Sequence, residues 1–432
     1  MIFMQTTFFW FRRDLRLSDN TALFHALSEN QRVIPLFIFD ANIIEELPKD
    51  DARISFIYEQ LHAINEELQK VGSNLLVLKG NPKEVWQKIF SEYEIKNIYF
   101  NKDYEPYAIV RDKEITALAK TNNIAVFNFK DQVIFEENDV LKDDGSPYTI
   151  YTPYKNKWLK AFSSTLCEAK KSENHLTNLA KTQFSFPSIT SLNFNLSSIK
   201  VKPYSLTNLA NYEAERNFPA IDSTSYLSPH LRFGTVSIRN IIKNSLEKSP
   251  VFLSELIWRE FFMQILFHFP HVVNKSFKVK YDNINWRNNK DEFVLWCEGK
   301  TGYPMVDAGM RQLNQTGYMH NRVRMVVASF LCKHLLIDWR WGEAYFAKKL
   351  LDYDLSTNNG NWQWAAGTGC DAAPYFRVFN PYEQVKKFDP ELKYITKWVK
   401  NLNELTYPAP IVEHKFARER AIATYKKGLE SA

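Results

Sequence analysis

The chain has 432 residues, long for a single core, so two or three domains are expected. Its 45% hydrophobic and 24% charged content excludes bulk disorder and low-complexity classes. A formal net charge of +6 points mildly to a polyanionic partner, and 32 Phe, 21 Tyr and 11 Trp give an unusual 15% aromatic content. The short apolar run from Phe8 to Phe11 precedes Arg12 and Arg13, the wrong order for a secretion signal. No run approaches ~18 apolar residues, so no membrane span is expected. Cys167, Cys297, Cys332 and Cys370 are far apart in sequence, which excludes CxxC and zinc-ribbon spacing. Reduced thiols in a cytoplasmic protein, nucleoid-associated in a bacterium, are the expectation.

In chain order, Thr6–Trp10, Val33–Phe39, Leu75–Lys79, Asn97–Phe100 and Ala125–Phe129 read as strands. The last four have the Val, Ile, Leu or Phe content of parallel strands buried on both faces. Helical patterns at Asn20–Glu29, Arg53–Val71, Pro82–Tyr93 and Tyr107–Thr121 alternate with them. Residues 1–130 are therefore predicted to form a doubly wound parallel α/β domain, without a Gly-rich phosphate loop. Residues 131–205 break the pattern, and Thr182–Leu206, rich in Ser, Asn and Thr, reads as a surface connector. Residues 206–432 are predicted to be all helical, with helices at Leu206–Asn217, Val236–Leu246, Phe252–His268, Asp291–Cys297, Val306–Thr316, Asn321–Leu336, Trp341–Leu350 and Glu413–Lys427. Asn20 and Ser254 are candidate caps or cap neighbours, and Asn358, Asn359 and Gly360 form a turn signal.

Three familiar strings fail on context. Gly299, Lys300 and Thr301 lack the required upstream Gly, which is Val294. Gly367 to Ala372 spells a dinucleotide fingerprint but follows no strand. Asp352 to Gln363 lacks the Gly and Glu of a calcium loop, and with no close His/Cys cluster no metal is expected. What remains is a cluster: seven of the eleven tryptophans fall between Trp258 and Trp364. Between Met310 and Lys349, seven Lys and Arg stand against two acidic residues. Basic side chains beside flat rings suit phosphate neutralisation and base stacking, although core packing and a solvated helix face account for many of them. Helical spacing puts Glu255, Trp258, Arg259 and Phe262 on one face, where Glu255 can accept from a base edge or pair with Arg259. Asn321, Arg324 and Met325 share another face, with Arg322 pointing elsewhere. Arg324 with Asp352 or Asp354 would make a sensible buried ion pair.

Several long strings together resemble the DNA photolyase/cryptochrome family over essentially the whole chain. They are Phe9 to Arg16, Thr224 to Leu231, Asn321 to Met325, Ile337 to Arg340, Asn358 to Ala366 and Asp371 to Pro381. The resemblance implies an antenna domain, a connector and a helical FAD domain. It implies a flavin pocket made by Tyr212, Thr224, Ser225, Leu227, Ser228, Glu255, Arg259, Asn321, Arg324, Asp352, Asp354 and Asn358, with Asn358 at flavin N5. Trp362, Trp339 and Trp286 match an electron-carrying chain. Trp258 and Trp364 would flank a flipped pyrimidine dimer, with Glu255, Asn321, Arg322 and Met325 around it and Arg377 on a phosphate. The implied activity is light-driven repair of cyclobutane pyrimidine dimers in damaged DNA by excited reduced FAD, in a monomer. Asn321, Arg322 and Met325 stand where the (6-4) branch has histidines. A blue-light receptor and a plain DNA-binding module are the rivals. The antenna is open among a deazaflavin, FMN and none, with folate disfavoured by Tyr107 and Ala108.

Overall fold

The computed structural model describes residues 5–430. Five parallel strands form: β1 (Thr6–Phe11), β2 (Val33–Asp40), β3 (Leu76–Gly80), β4 (Ile95–Asn101) and β5 (Ala125–Phe129). Their order is β3-β2-β1-β4-β5, so the winding reverses between β1 and β4. β1 and β2 are buried along their whole length, as apolar runs covered on both faces must be. β3 and β5 are not. They lie at the sheet edges, and β5 is largely exposed despite its two phenylalanines.

The intervening helices Thr21–Glu29, Ala52–Lys70, Pro82–Glu92 and Pro106–Thr121 match the sequence pattern to within two residues. Asn20 does cap its helix, accepting from the Leu23 N–H. Ser254 does not cap; it lies inside helix Pro250–His268, which Ser249 caps. A buried ionic knot holds the loop after β1. Arg16 and Arg239 reach Asp131 at 2.6 and 2.8 Å, and Thr21 donates to it through N and Oγ1. Burial raises the Asp131 pKa, but the two guanidiniums outweigh it and hold it at about 2. Tyr107 donates to Asp40 Oδ2 at 2.6 Å and accepts from Asn42 at 3.0 Å, where β2 ends.

Two compact units form, and their boundaries are not at 130 and 205. The first comprises residues 1–140, 158–204 and 226–248; the second comprises 141–157, 205–225 and 249–432. The stretch Thr182–Leu206 is not confined to the surface. It has no helix or strand, yet Ile189, Leu192 and Phe194 are buried in the same core as Phe9, Phe37 and Leu61. Its apolar side chains were diluted by Ser and Asn, which hid them from composition. Within the first unit lie also helices Ser228–Phe233 and Ile238–Ser245.

The second unit is helical, as expected, around a core that contains Trp296, Trp339 and Trp362. Leu206–Asn217 contributes only one short helix, Tyr212–Glu215, after a 3-10 turn. The helix from Asn321 ends at Ser329 and continues as a π turn, Phe330–His334. There Lys333 is buried and donates to the carbonyls of Ala366 and Tyr375 at 2.7 and 3.2 Å. Burial pulls its pKa down to about 7. The turn reading at Asn358 to Gly360 is overturned, because all three lie inside helix Leu355–Ala366. Two side-chain bonds explain it: Asn359 and Gln363, one turn apart, both donate to the Val272 carbonyl. No helix among the described residues is long and apolar enough to cross a membrane.

Candidate functional site

Helix Pro250–His268 presents Glu255 and Trp258 half-buried, with Leu256, Ile257 and Phe261 turned into the core. Trp258 and Trp364 border one shallow pocket, together with Phe262, Gly360, Cys370 and Asp371. Trp362, two residues from Trp364 on the same helix, is 2% exposed instead. The helix turns the two rings to different sides, one to the core and one to the pocket.

Glu255 pairs with Arg216 at 2.8 Å. Arg216 was not singled out from sequence, where it is one charge in a short polar segment. It also lies 5.2 Å from the Tyr212 ring centroid, and Tyr212 is pushed up to about 12 by burial and then by Glu255. Arg216 and Arg377 both act on Arg322, whose pKa is lowered, first by burial and then by these two like charges. Arg322 thus sits between two like charges, an arrangement that an anion would relieve. The signal available in sequence was weak: Arg216 lies four residues after Tyr212, one helical turn.

The Asn321–Ser329 helix corrects one expectation. Arg322 does not point away from Met325; its Nη1 lies 3.5 Å from the Met325 sulfur, and its Nη2 donates to Asn217 at 2.5 Å. Arg322 also covers the Phe388 ring at 4.4 Å. Asn321 is exposed at the first helical position. Of the two aspartates open to Arg324, Asp352 takes it, at 3.1 and 2.9 Å, while Arg324 Nε donates to the Met319 carbonyl. Asp354 caps helix Leu355–Ala366, accepting from Ser356 Oγ and Thr357 N. Thr224 and Ser225 sit half-buried in irregular backbone, and the Ser225 carbonyl accepts from Ser205 N. Leu227 and Ser228 are counted with the first unit, where Ser228 opens helix Ser228–Phe233. Arg259 is half-buried one residue beyond Trp258, and Arg377 is exposed beside Phe379.

Asn358 is buried, and its Nδ2 donates to the Glu343 carboxylate at 2.8 Å and to the Glu343 carbonyl at 3.2 Å. Glu343 is a second residue that sequence did not reveal, since fifteen positions separate it from its partner. Burial raises its pKa, against the hydrogen bond from Asn358. Trp339 and Trp362 are buried in one apolar core, against which the half-buried Trp286 packs. Among the described residues no group of three His, Cys, Asp or Glu side chains is placed to hold a metal ion.

His320 caps its helix through Nδ1, which accepts from Arg322 N at 3.2 Å. Burial, then Arg322, Arg324 and Arg216, lower its pKa to about 4. An unfolded chain protonates a histidine near pH ~6.5, so this residue's contribution is complete above that pH. It is lost as pH falls from about 6.5 toward 4, by about 3 kcal/mol at most. Urea unfolding between pH 7 and 4.5 is expected to show this loss, and His320→Asn, which can cap without titrating, to flatten it.

Two family descriptions match the chain: "DNA photolyase" over residues 7–173 and "FAD binding domain of DNA photolyase" over residues 252–406. The deoxyribodipyrimidine photo-lyase of Synechococcus sp. is 35% identical, covering 97% of this chain and 96% of its own. The crystal structure of a bacterial class III photolyase from Agrobacterium tumefaciens aligns with a TM-score of 0.89 at 33% identity, covering 100% and 99% of the two chains. A Synechocystis sp. cryptochrome aligns with a TM-score of 0.84 at 25% identity, covering 98% and 100%. The fold and these matches define a flavoprotein of the photolyase/cryptochrome class. The chain belongs to the DNA photolyase family and carries its FAD-binding domain.

The residues fit that cofactor. With Nδ2 of Asn358 committed to Glu343, its amide oxygen is the atom left to accept from a ring N–H. Arg324, paired to Asp352, and the hydroxyls of Thr224 and Ser225 supply donors of the kind that a diphosphate requires.

Proposed function

We propose that the protein repairs cyclobutane pyrimidine dimers in DNA under blue or near-ultraviolet light. The observation that carries this is the pocket bordered by Trp258 and Trp364, with Glu255 one turn from Trp258 and paired to Arg216. Two large rings at one pocket suit two linked pyrimidines lifted from the duplex, which costs least where the base pair is already damaged. Glu255 would accept from a pyrimidine edge once Arg216 turns to a phosphate. Arg216, Arg322 and Arg377 would neutralise the backbone, while Asn321 and Met325 would border the lesion. Tyr212, Thr224, Ser225, Arg259, Arg324, Asp352 and Asp354 would hold the cofactor, and Asn358, oriented by Glu343, would receive the flavin N5 hydrogen. When bound, reduced FAD supplies the electron that light drives into the dimer and recovers it after the ring opens. Trp286, Trp339 and Trp362 would carry electrons inward when the flavin must be reduced.

Asn321, Arg322 and Met325, which stand where the (6-4) branch has histidines, support a cyclobutane rather than a (6-4) lesion, since none of them can serve as a general acid of that kind. The Tyr107–Asp40 hydrogen bond supports a reading in which no folate is seated there. Added folate is expected to leave both the absorption spectrum and the action spectrum unchanged.

The deciding measurement is the loss of thymine dimers from a defined oligonucleotide, by fully reduced protein, in light and in darkness. Repair in light alone is expected. Bound flavin without any repair would place the chain among blue-light receptors. Preserved repair of (6-4) products instead would overturn the lesion assignment.

A further inference from the structure

Trp258 is half-buried at its pocket, where an unbraced indole would sample several rotamers. It is braced. The ring of Tyr151, the first residue of helix Tyr151–Ala161, lies 3.6 Å from the indole with only 10° between the planes. The Tyr151 hydroxyl donates to the Ser254 carbonyl at 2.7 Å and meets Ser254 Oγ at 2.6 Å. Ser254 precedes Trp258 by four residues, so the hydrogen bond and the stack grip the same face of helix Pro250–His268. At its other end the Tyr151 N–H donates to Asp371 Oδ2 at 3.0 Å, and Asp371 lines the pocket.

Aromatic pairs left to their own electrostatics prefer offset or edge-to-face contact over a coplanar sandwich. The nearly parallel, face-to-face geometry here is accompanied by tethers to Ser254 and Asp371, which simple core filling would not need. Phe261 and Phe262 complete the surround at 5.6 and 5.4 Å from the indole.

We propose that Tyr151 is a positioning residue for lesion recognition: it sets the plane of Trp258 before DNA arrives, so that a flipped pyrimidine meets the indole in a fixed orientation. The inference rests on the repair reading above. Its energetic basis is preorganisation, because an indole already held in place loses no rotamer freedom when the base stacks on it.

The test uses the full FAD-loaded chain in darkness and measures binding to a labelled oligonucleotide with one thymine dimer and to its undamaged twin. Tyr151→Leu is expected to weaken dimer binding about threefold to tenfold, the range set by ordering one side chain. Affinity for undamaged DNA and repair per bound dimer should stay at wild-type values. Tyr151→Phe keeps the ring and should retain more of the preference than the leucine variant. An unchanged preference in Tyr151→Leu, or an equal loss for both oligonucleotides, overturns the proposal. If the leucine variant does not retain flavin, Tyr151→Phe decides: a dimer preference below wild type with unchanged affinity for undamaged DNA supports the proposal, and a wild-type preference overturns it. A wild-type chain with no preference for the dimer would defeat the repair reading itself, which separates the two failures.

Discussion

Trp258→Ala and Trp364→Ala should each lower affinity for dimer-containing DNA by about tenfold to a hundredfold while leaving FAD bound. The magnitude follows from about 1–3 kcal/mol for one base stacked on one aromatic ring. Both rings are half-buried at the pocket, so truncation removes a stacking surface. Trp339 and Trp362 are expected to behave differently, being 1% and 2% exposed. Trp339→Phe should block light-driven reduction of the oxidised flavin yet leave repair by chemically reduced protein intact. Anisotropy in darkness, flavin absorption and dimer loss in light together separate these two groups. A Trp258→Ala variant with full discrimination between damaged and undamaged DNA would remove the basis of the site assignment.

Gly342→Ala should destabilise the second unit by about 3 kcal/mol and weaken its retention of flavin. A Cβ at this position would stand 2.2 Å from Trp362 Cη2, 2.5 Å from Cζ3 and 2.6 Å from Leu331 Cδ2. The indole is rigid and cannot move aside, because Phe346 meets it edge-on at 4.9 Å and Trp296 at 6.2 Å. Overpacking of this kind costs about 1–3 kcal/mol, occasionally more, and a clash with a ring belongs at the upper end. The sign is the informative part. On an exposed helix the same change would stabilise by about 1 kcal/mol. Gly360→Ala should act alike, with its Cβ 2.1 Å from Phe262 Cδ1. Urea unfolding with released flavin as a second probe measures both, and a stabilised Gly342→Ala would show that Trp362 is not packed as described.

Much of the architecture was legible because its causes are local. Short apolar runs at regular spacing marked all five strands, and Asn20 and Pro82 punctuated their helices where capping requires. The edges of the sheet were not legible. β5 has a core-like composition yet is exposed, since strand order is decided by the crossovers and not by the strand. Site residues divided in the same way. Those in long, distinctive strings could be named from the chain, whereas Arg216, Glu343 and Tyr151 could not. Each of the three matters through a partner between 15 and 107 positions away.

By itself, then, the sequence determined the parallel α/β start, the helical remainder, the tryptophan-rich basic segment and the family resemblance. Only the tertiary structure decided that Asn358, Asn359 and Gly360 are helical, that Arg324 takes Asp352, and that Trp258 and Trp364 share a pocket while Trp362 is core. The reason is physical. Turn propensity at Asn-Asn-Gly is worth about 1 kcal/mol, and Gly360 sits in a helix because Phe262 needs the space a side chain would fill. Hydrogen bonds from Asn359 and Gln363 to a distant carbonyl outweigh the local preference, and no spacing rule within one segment contains them.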